Sequence, residues 1–173
     1  MMRILYIDTR NPGHNAELHV DFIKFMQERG FCEIIPYGNN LDKKFSDSIR
    51  IKSGNVSYQL DNILFKHKPD IILTYNKNGS GYEDKRDNVS FYKWIEDALS
   101  KIDIPKVHIT TDYCRSGYRE EQAKWFEDIG YTAAIFRHKE SLKYPCGIES
   151  YWLPFSVDSK MYSKYNKKNF ARR

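Results

Sequence analysis

The sequence is poor in the residues that mark small disulfide-linked, zinc-bound or membrane-spanning proteins. It has three cysteines among 173 residues, Cys32, Cys114 and Cys146, and no C-x-x-C pair. This spacing argues against a zinc ribbon or a disulfide framework, so we expect a reducing, cytoplasmic setting. No apolar run approaches the about 20 residues that cross a bilayer, and the charged start MMRILYID is too short for a signal peptide. We therefore predict no membrane span.

Several ligand-binding motifs are also missing. The loop after the first predicted strand offers one glycine, Gly13, where the dinucleotide-binding pattern G-x-G-x-x-G needs three. There is no P-loop, no G-x-S-x-G nucleophile elbow and no D-x-D triplet, and the five histidines lack metal-ligand spacing. These absences argue against a dinucleotide site, a P-loop site and an α/β-hydrolase. We predict no metal and no bound cofactor.

What the chain does contain suits one packed domain. Its hydrophobic share is 40% and its aromatic share 15%, which argues against disorder. The net charge of +5 is unevenly distributed, because residues 159–173 contain six basic residues and no acidic one. A basic tail on a nearly neutral body is weak support for nucleic-acid binding. We predict a solvated linker there and no specific nucleic-acid partner.

Apolar runs of strand length alternate with amphipathic helical stretches. Strands are predicted at 3–8, 31–37, 70–76, 105–112, 131–137 and 150–155. Helices are predicted at 16–30, from 55 to just before Pro69, at 91–102 and at 118–130, and 38–53 is predicted to be a long loop. This alternation predicts β-α-β units, hence an α/β fold with a parallel sheet and helices on both faces.

Helical spacing also predicts which side chains face the core. On the first helix they are Leu18, Phe22, Phe25 and Met26, and on the last helix Trp125, Phe126 and Ile129. His108, inside the fourth predicted strand, is expected to pack in the core. Open parallel sheets bind ligands at the carboxyl ends of their strands. The candidate site is therefore predicted in the loops 8–14, 38–53, 76–88, 112–117 and 137–147.

An ordered set of short motifs carries a resemblance to a known family. The segment NPGHNAELHVDFIKFMQERGF, with Gly-His opening a helix that ends in Arg-Gly, resembles the amino-terminal domain of GT-B glycosyltransferases. HKPDIILTYN, IPKVHITTD and GYTAAIFR are similar to later strands of that domain. WLPFSVDSKMY is similar to the interdomain phrase of the spore-maturation (CgeB-like) members. The resemblance extends over nearly the whole chain.

The resemblance implies a fold, a domain organisation and an activity. The fold is a Rossmann-like three-layer sandwich with a mainly parallel sheet of about six strands. Residues 1–158 form the acceptor-side domain, and 159–173 form a basic linker leading to a carboxyl-terminal donor domain in cis. The activity is transfer of a sugar from a nucleotide-sugar donor, a co-substrate, to a glycan or small-molecule acceptor. This half alone is expected to be inactive.

The resemblance also assigns roles to loop residues. His14 corresponds to the histidine that can act as general base, and a helix N-terminus favours the neutral imidazole that this role needs. Asp112 is the second catalytic candidate. The acceptor-binding candidates are Arg10, Asn11, Gly13, Asn76 and Gly79.

Simpler explanations stay open for these residues. His14 can pack in its loop, Asp112 can cap a helix, and Asn76 can form a turn. Arg10 can join a surface ion pair. An alternative function is likewise open: a standalone Rossmann-like module that binds a ligand or a partner without catalysis.

Overall fold

The structure, a computed structural model, describes residues 1–8, 17–39, 41, 44–52, 54–75, 95–110, 119–136 and 138–153. Its strands are β1 Met2–Asp8, β2 Cys32–Gly38, β3 Ile71–Tyr75, β4 Lys106–Thr110, β5 Ala133–Phe136 and β6 Glu149–Trp152. They form one sheet in the order β2-β1-β3-β4-β5-β6, and each neighbouring pair is parallel. The predicted α/β fold with a parallel sheet of about six strands is confirmed.

Helices cover both faces of this sheet. They are α1 Glu17–Glu28, α2 Val56–His67, α3 at 95–99 within the described part, and α4 Arg119–Ile129, with a 3₁₀ helix at Lys139–Lys143. Val20 and Ile23 of α1 pack with Ile4 and Tyr6 on one face, which we call the α1 face. The buried side chains of α2, α3 and α4 pack on the opposite face, which we call the α4 face. The three-layer arrangement is thus confirmed.

Right-handed connections account for this division. The chain moves in one direction across the sheet from β1 to β2, and in the other direction from β3 through β4 to β5. A right-handed crossover places its helix on a face that depends on this direction. Therefore α1 lies on one face, and the helices of the later units lie on the other.

A single bridge outside β2 relates the strand order to a known arrangement. Ile49 pairs in parallel with Tyr37: its amide donates to the Pro36 carbonyl at 2.8 Å, and the Gly38 amide donates to the Ile49 carbonyl at 2.9 Å. From there α2 carries the chain across the sheet to β3, beside β1. If the bridged residue is counted as a third strand, the order becomes 3-2-1-4-5-6-7, which is the Rossmann order 3-2-1-4-5-6 with β6 added at its far edge.

The ends of α2 and α4 follow their predicted signals. Lys68 takes a left-handed conformation (φ 46°) just before Pro69, and its amide donates to the Leu64 carbonyl at 2.9 Å. Gly130 ends α4 with φ +74°. On α4, Phe126 and Ile129 are buried as predicted, and Trp125 packs partly buried against the same core.

The inward face of α1 differs from the prediction. Val20 and Ile23 are 3% and 1% exposed, whereas Phe25 is 46% exposed and Phe22 is only partly buried. The Arg29 guanidinium lies 5.1 Å from the Phe25 ring centre, a cation–π contact at the surface. The prediction weighted the large aromatic residues, but the smaller β-branched pair sets the buried face. Met26 is partly buried, and the Leu18 side chain lies outside the described part.

The edge strand β6 is formed as predicted, but it is not a buried strand. All four of its residues are exposed, and Tyr151 and Trp152 retain 54% and 44% of their accessible surface. The strand pairs only with β5 in the described sheet. The Lys139 ammonium lies 5.5 Å from the Trp152 ring centre. Its sequence predicted the strand, whereas its edge position accounts for the exposure.

Candidate ligand site at the carboxyl edge of the sheet

The sheet has its topological switch point between β1 and β3. β1 continues to β2 on one side, and β3 continues to β4 on the other. Ligand sites of open parallel sheets form at the carboxyl ends of two such strands, because their loops diverge there. Asp8 and Tyr75 are register partners at these ends, and they are 0% and 3% exposed. They form the floor of the candidate site.

Asp8 places a carboxyl group at this position. The Tyr6 hydroxyl, two residues earlier on the same face of β1, donates to Asp8 Oδ2 at 3.0 Å. A buried carboxyl group is costly unless it is hydrogen-bonded, and this bond orients it. Asp8 is the first residue of the predicted site loop 8–14, but no motif assigned it a role. No sequence pattern pointed to Tyr6.

Gly38 allows the ends of β1 and β2 to come close together. A Cβ atom on this glycine would lie 2.3 Å from the Asp8 backbone oxygen and 3.0 Å from Leu41 Cδ1. Any side chain would therefore push the two strand ends apart or displace the segment around Leu41. The glycine makes the site narrow on the β2 side of Asp8.

The carboxyl end of β4 adds a second buried polar pair. Gln122 of α4 donates from Nε2 to Thr110 Oγ1 at 3.2 Å, and both residues are at most 2% exposed. This pair positions α4 over the end of β4. Gln122 lies in the strongly polar helix REEQAKWFEDI, so its burial had no signal in the sequence.

Below this edge, a hydrogen-bonded triplet lies within the core on the α4 face. Thr74 Oγ1 is 2.8 Å from His108 Nδ1 and 2.8 Å from the Tyr131 hydroxyl. Burial lowers the pKa of His108 to about 3 and raises the pKa of Tyr131 well above its usual value. Both groups are neutral near pH 7, and the predicted core role of His108 is confirmed.

Lys106 completes a line of polar residues on β4. It is 5% exposed, and its Nζ donates to the carbonyl oxygens of Ile102 at 2.6 Å and Ile104 at 3.3 Å. Burial lowers the pKa of Lys106, with Asp103 acting in the opposite direction. Alternate residues of a strand share one face, so Lys106, His108 and Thr110 form one polar stripe beneath α4. We call this the β4 polar stripe.

All seven residues predicted for the site lie outside the described part of the chain: Arg10, Asn11, Gly13, His14, Asn76, Gly79 and Asp112. The described residues that precede them in sequence are Asp8, Tyr75 and Thr110, which end β1, β3 and β4. These three strands lie side by side in the order β1-β3-β4. The site roles of the seven residues remain predictions.

Within the described ranges, no three His, Cys, Asp or Glu side chains cluster closely enough to hold a metal ion. None of the helices in those ranges has the length and apolar character to cross a membrane.

Comparison with known proteins adds little. No family model and no curated protein matches the chain. One solved structure that matches is "Crystal structure of RSP in complex with beta-NADH", with a TM-score of 0.33 and 9% sequence identity. The match covers 98% of this chain and 61% of that one. A likeness at this TM-score carries no argument about ligand or activity.

Proposed function

We propose that this chain is the acceptor-side half of a GT-B glycosyltransferase, with its acceptor site at the carboxyl edge of the sheet. The observation that carries the proposal is the Rossmann strand order with buried Asp8 and Tyr75 at its switch point. The Gly13-His14 pair that resembles the family follows Asp8 in the next loop of the sequence. The strand order and the position of the motif in the sequence both support a site at this edge.

The chemistry proposed for this site is displacement at the anomeric carbon of a nucleotide-sugar. In an inverting enzyme, His14 accepts the proton of the acceptor hydroxyl as its oxygen bonds to that carbon. The bond from the carbon to the diphosphate breaks, and the nucleoside diphosphate leaves with the electron pair. In a retaining enzyme, His14 is instead a binding residue.

Other residues of the chain supply orientation. Asp112 is proposed to orient the acceptor hydroxyl, and Asn76 to hydrogen-bond a second one. Arg10, Asn11, Gly13 and Gly79 are proposed to hold the acceptor. The donor domain in cis is proposed to bind the nucleotide-sugar, with helix dipoles and basic groups offsetting the charge of the diphosphate.

The test uses the full-length gene product, a panel of nucleotide-sugars and release of nucleoside diphosphate as the readout. We expect turnover with at least one donor, and His14→Ala is expected to lower kcat by about 100- to 10,000-fold if His14 is the base. His67→Ala is the matched control. His67 lies at the end of α2, and its carbonyl accepts from Arg3 near the opposite edge of the sheet. This variant is expected to retain activity.

The outcomes separate the alternatives. Turnover that is unchanged in His14→Ala would keep the glycosyltransferase assignment and remove the proposed base. Binding of a sugar or sugar-nucleotide without release of diphosphate by the full-length product would favour the standalone binding module. Absence of both binding and turnover would refute the proposal.

A further inference from the structure

Two ring nitrogens beneath α4 have no hydrogen-bond partner among the described residues. They are His108 Nε2 on β4 and Trp125 Nε1 on α4, and each atom is buried. The two rings are in edge contact, with centroids 5.0 Å apart and planes at 78°. Phe126 and Tyr131 enclose the imidazole from other sides. An unpaired buried nitrogen is unfavourable, so two adjacent ones require an explanation.

The hydrogen-bonded triplet indicates which nitrogen of His108 carries the proton. The Thr74 hydroxyl has one proton to donate, and it contacts both His108 Nδ1 and the Tyr131 hydroxyl. If Tyr131 donates to Thr74 and Thr74 donates to Nδ1, both hydroxyl protons have an acceptor. In the opposite tautomer, Nδ1 donates to Thr74, and one hydroxyl proton then lacks an acceptor within the triplet. The first arrangement puts the imidazole proton on Nε2.

With this tautomer, each of the two rings in edge contact carries one buried N–H donor. The indole nitrogen of Trp125 is always a donor, and His108 Nε2–H is a second one. Two donors cannot bond to each other, but one oxygen can accept from both. Two hydrogen bonds of about 2.9 Å to one oxygen allow the two nitrogens to lie up to about 5.8 Å apart.

We propose that His108 is the Nε2–H tautomer and that it holds, together with the Trp125 indole N–H, one internal water molecule between β4 and α4. Internal waters of this kind make two to four hydrogen bonds to buried polar groups. The water completes a directed chain from Tyr131 through Thr74 and His108. It also links β4 to the helix that supplies Gln122 to the carboxyl edge, and this inference does not depend on the proposed function.

The experiment is NMR spectroscopy of the ¹⁵N-labelled protein near pH 7. Long-range ¹H–¹⁵N correlations report the tautomer of His108, and we expect Nε2–H. Rotating-frame cross-peaks between water and the Trp125 indole proton report a long-lived bound water, and we expect them. An Nδ1–H tautomer, or a slowly exchanging indole proton without a water cross-peak, would overturn the proposal.

Two matched variants sharpen the result. Trp125→Phe keeps an aromatic ring but removes one donor, and the His108 Nε2 proton is then expected to exchange about fivefold faster, as for loss of one net hydrogen bond. Trp152→Phe removes an exposed indole on β6 and is expected to leave His108 unchanged. If the His108 Nε2 proton exchanges at the same rate in both variants, the shared water is contradicted. If Trp125→Phe does not fold, the tautomer and cross-peaks of the unmodified protein still decide the matter.

Discussion

The two faces of the sheet bury polar groups in different places. On the α1 face, the core side chains of the strands are mostly apolar, and the buried Tyr6 hydroxyl bonds to Asp8 at the carboxyl edge. On the α4 face, the β4 polar stripe runs along the strand from Lys106 to Thr110. Every member of that stripe has a hydrogen bond within the chain.

The difference separates two uses of buried polarity. The Tyr6–Asp8 pair lies at the strand ends where the candidate site is proposed, so we expect it to matter for binding. The β4 stripe below Thr110 lies under α4, where polar groups serve to fix the helix on the sheet. Changes in the stripe should therefore alter stability, and changes at the edge should alter binding or the fit of the strand ends.

The largest effect is expected where the strand ends approach most closely. Gly38→Ala would put a Cβ 2.3 Å from the Asp8 backbone oxygen, and two strand backbones cannot yield easily. We expect a loss of about 3 kcal/mol or more in the free energy of unfolding, measured by urea denaturation. Gly147→Ala is the control, because Gly147 has φ +76° but open space around it, and it should cost about 1 kcal/mol. Equal losses would show that the close approach is unimportant.

The next effect compares one hydroxyl from each face. Thr74→Val keeps the shape but leaves His108 Nδ1 and the Tyr131 hydroxyl unpaired, which should cost about 2–3 kcal/mol. Tyr6→Phe removes the hydroxyl that donates to Asp8 and should cost about 1 kcal/mol. Chemical denaturation of both variants measures the difference. A larger loss in Tyr6→Phe would reverse the proposed division between the two faces.

Acid should destabilise the α4 face through His108. Its pKa is about 3 when folded and about 6.5 in an unfolded chain, so the unfolded state binds more protons between these values. Above about pH 6.5, protonation of His108 does not lower the free energy of unfolding. As the pH falls toward 3 this free energy decreases, and the loss is about 2 kcal/mol at pH 5. Denaturation at pH values between 7 and 5 measures this loss in the unmodified protein and in His108→Gln. The variant should lose less stability over this range. A His108→Gln curve parallel to that of the unmodified protein would contradict the assignment.

The smallest effect is expected at the edge strand β6, whose residues are exposed. Lys139→Ala removes the ammonium near the Trp152 ring, an exposed contact worth about 0.5 kcal/mol. Thermal unfolding of Lys139→Ala and of Lys143→Ala, its neighbour in the same 3₁₀ helix, measures the contribution. A loss above about 1 kcal/mol would show that β6 is more strongly coupled to the sheet than its exposure indicates.

Local patterns predicted the elements well, and they predicted burial where the pattern was unambiguous. The inward residues of α4 were predicted correctly, because Trp125, Phe126 and Ile129 lie on one face of that helix. On α1, apolar residues lie on more than one face, and periodicity could not choose Val20 and Ile23 over Phe25. Which of them is buried depends on the shape of the sheet beneath.

The candidate site was predictable only in outline. The strand ends and their loops were predicted as its location, but no pattern in the sequence assigned a role to Asp8. Nothing in the sequence revealed the Thr110–Gln122 pair, because Gln122 is one of many polar residues on α4 and only packing against β4 shows which is buried. Gly38 also lies in a polar stretch without a distinguishing pattern. Only the pairing of β2 with β1 shows that this position has no room for a side chain.

By itself the sequence determined the alternation of strands and helices, the parallel α/β class and most helix ends, because these follow from periodicity and from residues such as Pro69 and Gly130. Tertiary structure decided the strand order, the single bridged residue Ile49 and the partners of the buried polar groups. Thr74, for example, bonds to residues 34 and 57 positions away. Such partners are set by the arrangement of whole strands, which no local pattern contains.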